Sequence, residues 1–357
     1  MNNLAITYQH IADILSFETN DFQLEKTISN TAFDWEDIVR EGSKHYVIPA
    51  IYCRLKAKKL LHKLPEDLLS YLELITSENR QRNSIILIQI RSISQLFNLN
   101  HIDHVFLKGS ALLASGCFED NAERMLGDID ILVSPEQLKE AYQLLCDNGY
   151  YPSDQTLGHN FFEHKHLPRL KTELTNNRIA AIEVHRKLFV THINDTINSK
   201  TIFKEKRKIN NVNIPSQKHL LMHNILNFQI NDYGALYNSI SFRSTYDTIV
   251  IQKDYTGNKE WYKNKIYNNY FKYTSLFYQD IILKTNVKPT LFTYFYLFKL
   301  KHVIFYKTWN KLLGVTRFIP IFFNRIWIFI SNKTYRKAII KDRNRIFNHF
   351  KSILNNF

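Results

Sequence analysis

What this chain of 357 residues lacks narrows its identity before anything it contains. It has only three cysteines, Cys53, Cys117 and Cys146, and they are widely spaced. Three such thiols make neither an even disulfide set nor a zinc-ligand pattern. A disulfide scaffold is therefore excluded, and a reducing, cytoplasmic setting is expected. The opening MNNLAITYQHIADIL has no basic leader and no long apolar run, so no signal peptide is expected. No stretch reaches the ~18 uncharged residues that a membrane span wants, so no transmembrane segment is expected either. There is no internal repeat, heptad array or low-complexity tract. A Walker lysine motif is also missing, which disfavours a P-loop mechanism.

What is present is an ordinary globular composition, 45% hydrophobic and 22% charged, in a chain long enough for two or three domains. Its net charge of +14 is unevenly placed. From Pro289 onward there are 13 Lys+Arg against the single acid Asp342, so this tail holds +12 of the total. The basicity belongs to the tail and not to the rest of the chain.

The stretch around which the chain is organised is 104–133, HVFLKGSALLASGCFEDNAERMLGDIDILV. It reads as strand, turn, helix, loop and strand. Side chains alternate along a strand, so Asp128 and Asp130 share one face while Ile129 and Ile131 enter a core. Two carboxylates so placed can hold hard divalent cations. The turn Lys108-Gly109-Ser110, opening a helix, offers backbone N–H groups to an anion. Together they make the two halves of a site for a metal-bound triphosphate.

This arrangement of Gly109-Ser110 followed by Asp128-x-Asp130 resembles the nucleotidyltransferase fold of the DNA polymerase beta superfamily. More narrowly, LKGSALL, Arg124, GDIDILV and DNGY, with HLP at 166–168 and IEVH at 182–185, resemble a bacterial group of uncharacterised nucleotidyltransferases. The resemblance covers about residues 30–270 and is densest over 104–150. It implies an α+β fold, a small mixed-sheet nucleotidyltransferase core flanked by N- and C-terminal helical regions. It also implies a third acid on a later strand, and Glu183 lies on such a strand.

The segments follow. Residues 1–98 are a helical N-terminal region, with acidic helix starts at Asp34–Asp37 and Glu66-Asp67. Residues 99–190 are the catalytic core. In it Ser134-Pro135-Glu136 opens a helix that ends at Asn148-Gly149, and a hairpin over 169–185 ends on IEVH. Residues 191–288 return to helix with loops. Residues 289–357 are a basic, aromatic helical tail in which LFTYFYLF, IPIFF and IWIFI are broken by cations. That pattern suits an anionic membrane surface, with Arg317, Arg325, Arg336 and Lys337 as lipid contacts, an RNA backbone, or a helix-packed bundle. The first of these would place the chain at the inner face of the membrane.

The roles expected are specific. Asp128, Asp130 and Glu183 would bind Mg²⁺ or Mn²⁺, and Glu183 could take a proton from the acceptor. Gly109 and Ser110 would hold phosphates through backbone N–H and hydroxyl. Lys108 would pair with phosphate or with a neighbouring acid, and Arg124 would neutralise phosphate charge. His185 and His166 would orient Glu183 or touch the acceptor. His159, His164 and His166 do not make a standard zinc set, and His223 reads as a core histidine. The expected reaction moves a nucleoside monophosphate from an NTP to a hydroxyl or phosphate of a small molecule, sugar or peptide and releases pyrophosphate. RNA as the acceptor, in the manner of toxin–antitoxin enzymes that modify tRNA, and a catalytically silent nucleotide-binding protein are the alternatives.

Overall fold

The computed structural model describes residues 3–154, 161–162, 164–175, 177–189, 197–253, 264–281 and 288–355. Five helices come first: α1 (Leu4–Leu15), α2 (Asp21–Ile28), α3 (Trp35–Lys44), α4 (Ile48–Ala57) and α5 (Glu66–Leu99). Asn3, Asn20 and Asp34 cap the first three by accepting backbone N–H groups that have no partner inside the helix. α5 starts directly after Pro65, with Glu66 and Asp67 at its positive end, and runs for 34 residues. It buries apolar residues such as Ile86, Ile90 and Ile93 together with three amides, Asn79, Asn83 and Gln89. A buried amide needs partners, and these three find theirs in the segments that lead into the two site strands.

The sheet has five strands in the order β1-β2-β5-β4-β3. β1 (His104–Leu107) pairs antiparallel with β2 (Asp128–Val133), and β2 pairs parallel with β5 (Ala181–His185). β3 (Tyr150–Pro152) and β4 (Leu170–Thr172) complete it, both antiparallel to their neighbours. β1 is buried throughout, which is why it reads as an apolar run, and β2 is buried everywhere but Asp128. α6 (Lys108–Ser115) and α7 (Leu138–Asp147) lie in the connections. Pro135 starts a short 3₁₀ turn that precedes α7, rather than α7 itself. The architecture is α+β, a small mixed sheet flanked by helices.

Beyond the sheet come α8 (Ser199–Lys204), the two-stranded hairpin β6 (Arg207–Ile209) and β7 (Val212–Ile214), then α9 (Gln217–Leu226), α10 (Gly234–Tyr237), α11 (Phe242–Gln252) and α12 (Lys265–Thr274). The hairpin departs from the expectation of helix with loops for 191–288. Its turn, Asn210-Asn211, has φ +47° and +65°. Asparagine adopts this left-handed conformation more readily than most residues, and it suits a tight hairpin. One buried apolar cluster reaches from Leu4 to Leu300.

The tail forms α13 (Leu291–Lys301), α14 (Val303–Ser331), α15 (Lys333–Lys341) and α16 (Arg343–Asn355). The stretches IPIFF and IWIFI are therefore one helix of 29 residues, with Pro320 inside it and no buried residue. By length and composition alone, α14 is long and apolar enough to cross a membrane, with a mean hydropathy of 1.4 over its best window. A count of strictly uncharged residues misses it, because Arg317 and Arg325 interrupt the run.

Candidate active site

The site forms where β2, β5 and the start of α6 meet. Asp130 and Glu183 are register partners on adjacent parallel strands, so their carboxylates emerge side by side on one face. His185, two residues after Glu183, shares that face. The three offer ligand atoms within 4.8 Å of one another. Asp130 is nearly fully buried. Its Oδ1 accepts from Lys108 Nζ at 2.5 Å and lies 2.8 Å from His185 Nε2. His185 Nε2 also lies 3.4 Å from Glu183 Oε2, and His166 Nε2 lies 3.7 Å from the same oxygen. The loop carrying His166 is laced to the end of β5 by a bridge to His185 and by Leu167 N–H to the Val184 carbonyl at 2.8 Å. His159 lies outside the described residues.

Among the described residues, His185 Nδ1 is buried with no partner. An unpaired N–H there would cost more than an unpaired lone pair, which favours the tautomer whose Nε2–H donates to the carboxylates. Burial would raise the carboxyl of Asp130, but Lys108 and His185 hold it well below the usual carboxylate range. Burial also works against ionised Glu183, and the contact with His185 keeps it below its ordinary value. Asp128 behaves oppositely. Burial raises it, the charges of Asp130 and Glu183 add to the rise, and its nearest cation, Arg169, is 3.8 Å away. Asp128 thus stands at the rim while Asp130 is the enclosed member of the pair. The paired carboxylates of Asp130 and Glu183 offer the oxygen ligands that a hard divalent ion takes, so they fit the metal that the sequence pattern implies.

The helix start differs in detail from its sequence reading. The left-handed residue is Lys108, with φ +49°, and not Gly109. Gly109 lies in a tight place instead: a Cβ there would meet Leu126 Cγ at 3.1 Å, a contact that the leucine would have to relieve. The Ser110 hydroxyl is committed to the fold, accepting from Asp130 N–H at 3.2 Å and facing the Asp128 carbonyl at 3.4 Å. It staples α6 to β2, which leaves only backbone N–H groups there for an anion. A non-glycine residue held left-handed beside such a cluster is the kind of strain that collects at functional sites.

Arg124 also differs. Its Nε sits 2.9 Å from both carboxylate oxygens of the buried Asp247 on α11, and Nη1 donates to the Met125 carbonyl at 2.6 Å. It is therefore a buried ion-pair partner rather than a free loop cation. Arg124 and Asp247 line a cavity of about 60 Å³ with Lys108, His223, Asp232 and Arg243. Arg243 makes no hydrogen bond among the described residues, and burial, helped by Arg124, lowers its affinity for a proton. His223 is a core histidine, as expected, but its Nε2 has no partner among the described residues and burial pulls its pKa down to about 3. Arg243 escaped the sequence reading. The signal was available in its i,i+4 spacing to Asp247, which puts both on one side of α11.

Behind the site, α5 fixes the approach. Asn79 Nδ2 donates to the Ala122 carbonyl at 2.7 Å and Asn83 Nδ2 to the Arg124 carbonyl at 2.7 Å, which pins the loop before β2. Gln89 donates to the Ala180 carbonyl at 2.8 Å and accepts from Ala180 N–H at 3.0 Å, which aligns β5. Mixed sheet, strand-to-helix turn and paired carboxylates are consistent with a nucleotidyltransferase core. The model of a family described as an uncharacterised nucleotidyltransferase matches residues 31–257, well over half of the chain, and the chain belongs to that family. No curated protein and no solved structure gives a significant match.

Proposed function

We propose that this nucleotidyltransferase moves a nucleoside monophosphate from an NTP to a hydroxyl or phosphate of a small-molecule, sugar or peptide acceptor. The observation that carries the reading is the convergence of Asp130, Glu183 and His185 at the start of α6, with Lys108 bridging to a cavity that also holds Arg124 and Arg243. Asp128, Asp130 and Glu183 would hold Mg²⁺ or Mn²⁺, which when bound neutralises phosphate charge. His185 holds Asp130 and Glu183 in register through Nε2–H. The backbone N–H groups of Gly109 and Ser110 face the triphosphate, and Lys108 exchanges Asp130 for a phosphate oxygen as the nucleotide enters. Arg243 offers its guanidinium to the nucleotide from the cavity wall, while Arg124 stays tied to Asp247.

The acceptor oxygen attacks the α-phosphorus. The bond from that phosphorus to the α,β-bridging oxygen breaks, and pyrophosphate leaves with the electron pair. Where the acceptor is a hydroxyl, Glu183 takes its proton, with His166 beside it. Positioning and charge neutralisation supply most of the acceleration.

The test is incubation with each α-labelled NTP, Mg²⁺ and cell extract, followed by fractionation. Label in small molecules or peptides supports the reading. Label confined to RNA would move the acceptor to the tRNA alternative. No label with any NTP or extract would leave only the silent nucleotide-binding alternative.

A further inference from the structure

Helix α14 runs for 29 residues without one buried side chain, which no helix of a closed globule does. Its contacts with the body are narrow. Gly314 approaches Tyr237, whose hydroxyl would lie 3.4 Å from an added Cβ. The guanidinium of Arg317 lies over the ring of Tyr233 at 4.3 Å, and that of Arg325 over Phe162 at 5.3 Å. At about 3.6 residues per turn, 314, 317 and 325 fall on one side of the helix. The opposite side carries Phe305, Leu312, Ile319, Phe323, Ile326 and Ile330. All six are exposed, Phe323 by 64% and Ile330 by 63%. The stripe continues onto α13, where Phe295 and Phe298 pack edge-on to Phe305.

We propose that this apolar stripe inserts into the headgroup layer of an anionic membrane, with α14 lying in the plane of the bilayer. This goes beyond the transfer reaction and does not depend on it. Charge selects the occupant. The segment from Pro289 carries 13 cations against one acid, so a second copy would set two strongly positive surfaces against each other, whereas anionic lipid neutralises them. RNA is disfavoured because the outward face has no cation. Arg317 and Arg325 are turned to the body, and Arg336 donates to the carbonyls of Phe329 and Ile330. These three are not the lipid contacts that the sequence pattern suggests. Lys307 and Lys311 fall on the same side of the helix as Gly314 and Arg325, so the exposed cations of α15, Lys333, Lys337 and Lys341, take that role. The ring contacts along one side hold α14 against the body, which favours lying on the membrane over standing through it.

The experiment is flotation of the full chain with vesicles of phosphatidylcholine alone and with added phosphatidylglycerol, beside an RNA mobility shift and light scattering. The protein floats with anionic vesicles, at least about tenfold less with neutral ones, and less as salt rises. Phe323→Ser with Ile330→Ser lowers partition roughly a hundred-fold, because two large apolar groups stay in water. Neither residue is part of the buried core, so the circular dichroism and melting temperature of the double variant stay unchanged. Lys333→Glu with Lys337→Glu weakens binding and lowers the preference for anionic lipid. Absence of flotation overturns the proposal. So does an RNA shift without flotation, or a dimer that the serine variant converts to a monomer.

Discussion

Asp130→Asn and Asp128→Asn change the same chemical group two residues apart, and the structure assigns them very different costs. The Asp130 side chain is 4% exposed and faces Lys108 and His185. An asparagine keeps the shape and the acceptor oxygen but removes the charge that Lys108 and His185 face. Lys108 is 21% exposed and can turn to water, whereas His185 is fully buried and cannot. Breaking a buried charged pair costs about 3–5 kcal/mol, and the partial escape of Lys108 places this case near 3. At about 2.1 cal/mol/K of unfolding entropy per residue, that lowers the melting temperature of a chain this long by about 4 °C. Asp128, a third exposed with its nearest cation at 3.8 Å, should cost under ~0.5 kcal/mol and shift the melting point by less than ~1 °C. Scanning calorimetry of the two variants without nucleotide separates the cases. Equal destabilisation, or a neutral Asp130→Asn, would refute the asymmetry between the enclosed and the rim carboxylate.

Three further outcomes follow from the same geometry. Glu183→Gln should lower turnover far more than nucleotide affinity, measured by calorimetric titration beside initial rates; equal losses would make Glu183 a ground-state ligand only. Arg243→Ala should raise KM for the NTP by about tenfold or more with little change in melting temperature, because the guanidinium makes no hydrogen bond in the described fold and a charged contact to phosphate is worth about 1.5–3 kcal/mol; a normal KM would remove Arg243 from the nucleotide site. His45 and His223 are buried, with pKa values pulled down to about 4 and about 3. The unfolded chain binds their protons near pH 6.5 while the fold does not, so stability falls as pH drops below that value. Replacing His223 by Gln should flatten that fall, and an unchanged acid-unfolding curve would show that its burial is not linked to folding.

Much of the fold was legible because its signals are local. Asp34 and Glu66-Asp67 mark helix starts, and the alternation in GDIDILV marks a strand whose even positions share a face. Other features depend on the tertiary structure. Nothing near Arg124 in the chain announces Asp247, because that carboxylate arrives on α11 from more than a hundred residues away. The Ser110 hydroxyl reads as a phosphate ligand until β2 is placed beneath it and claims both its hydrogen-bonding directions. Gly109 reads as a phosphate-binding glycine from its place before the helix, while its close neighbour Leu126 is seen only in the folded chain. The β6–β7 hairpin was legible in principle, since Asn210-Asn211 between alternating residues is a turn signal, but the strands are only three residues long. In the tail, counting charges separates IPIFF from IWIFI, and only the helix itself shows that they belong to one element with Arg317 and Arg325 on one side.

The most direct test of the central claim compares NTP labelled at the α position with NTP labelled at the γ position, using wild-type protein and Asp130→Asn with Mg²⁺ and the responsive extract fraction. Nucleotidyl transfer predicts that the α-label joins the acceptor while the γ-label leaves as pyrophosphate, and that Asp130→Asn abolishes both. Transfer of the γ-label to the acceptor would make the chain a phosphoryl-transfer enzyme and contradict the account. Equal α-label incorporation by the variant would contradict the assignment of the site.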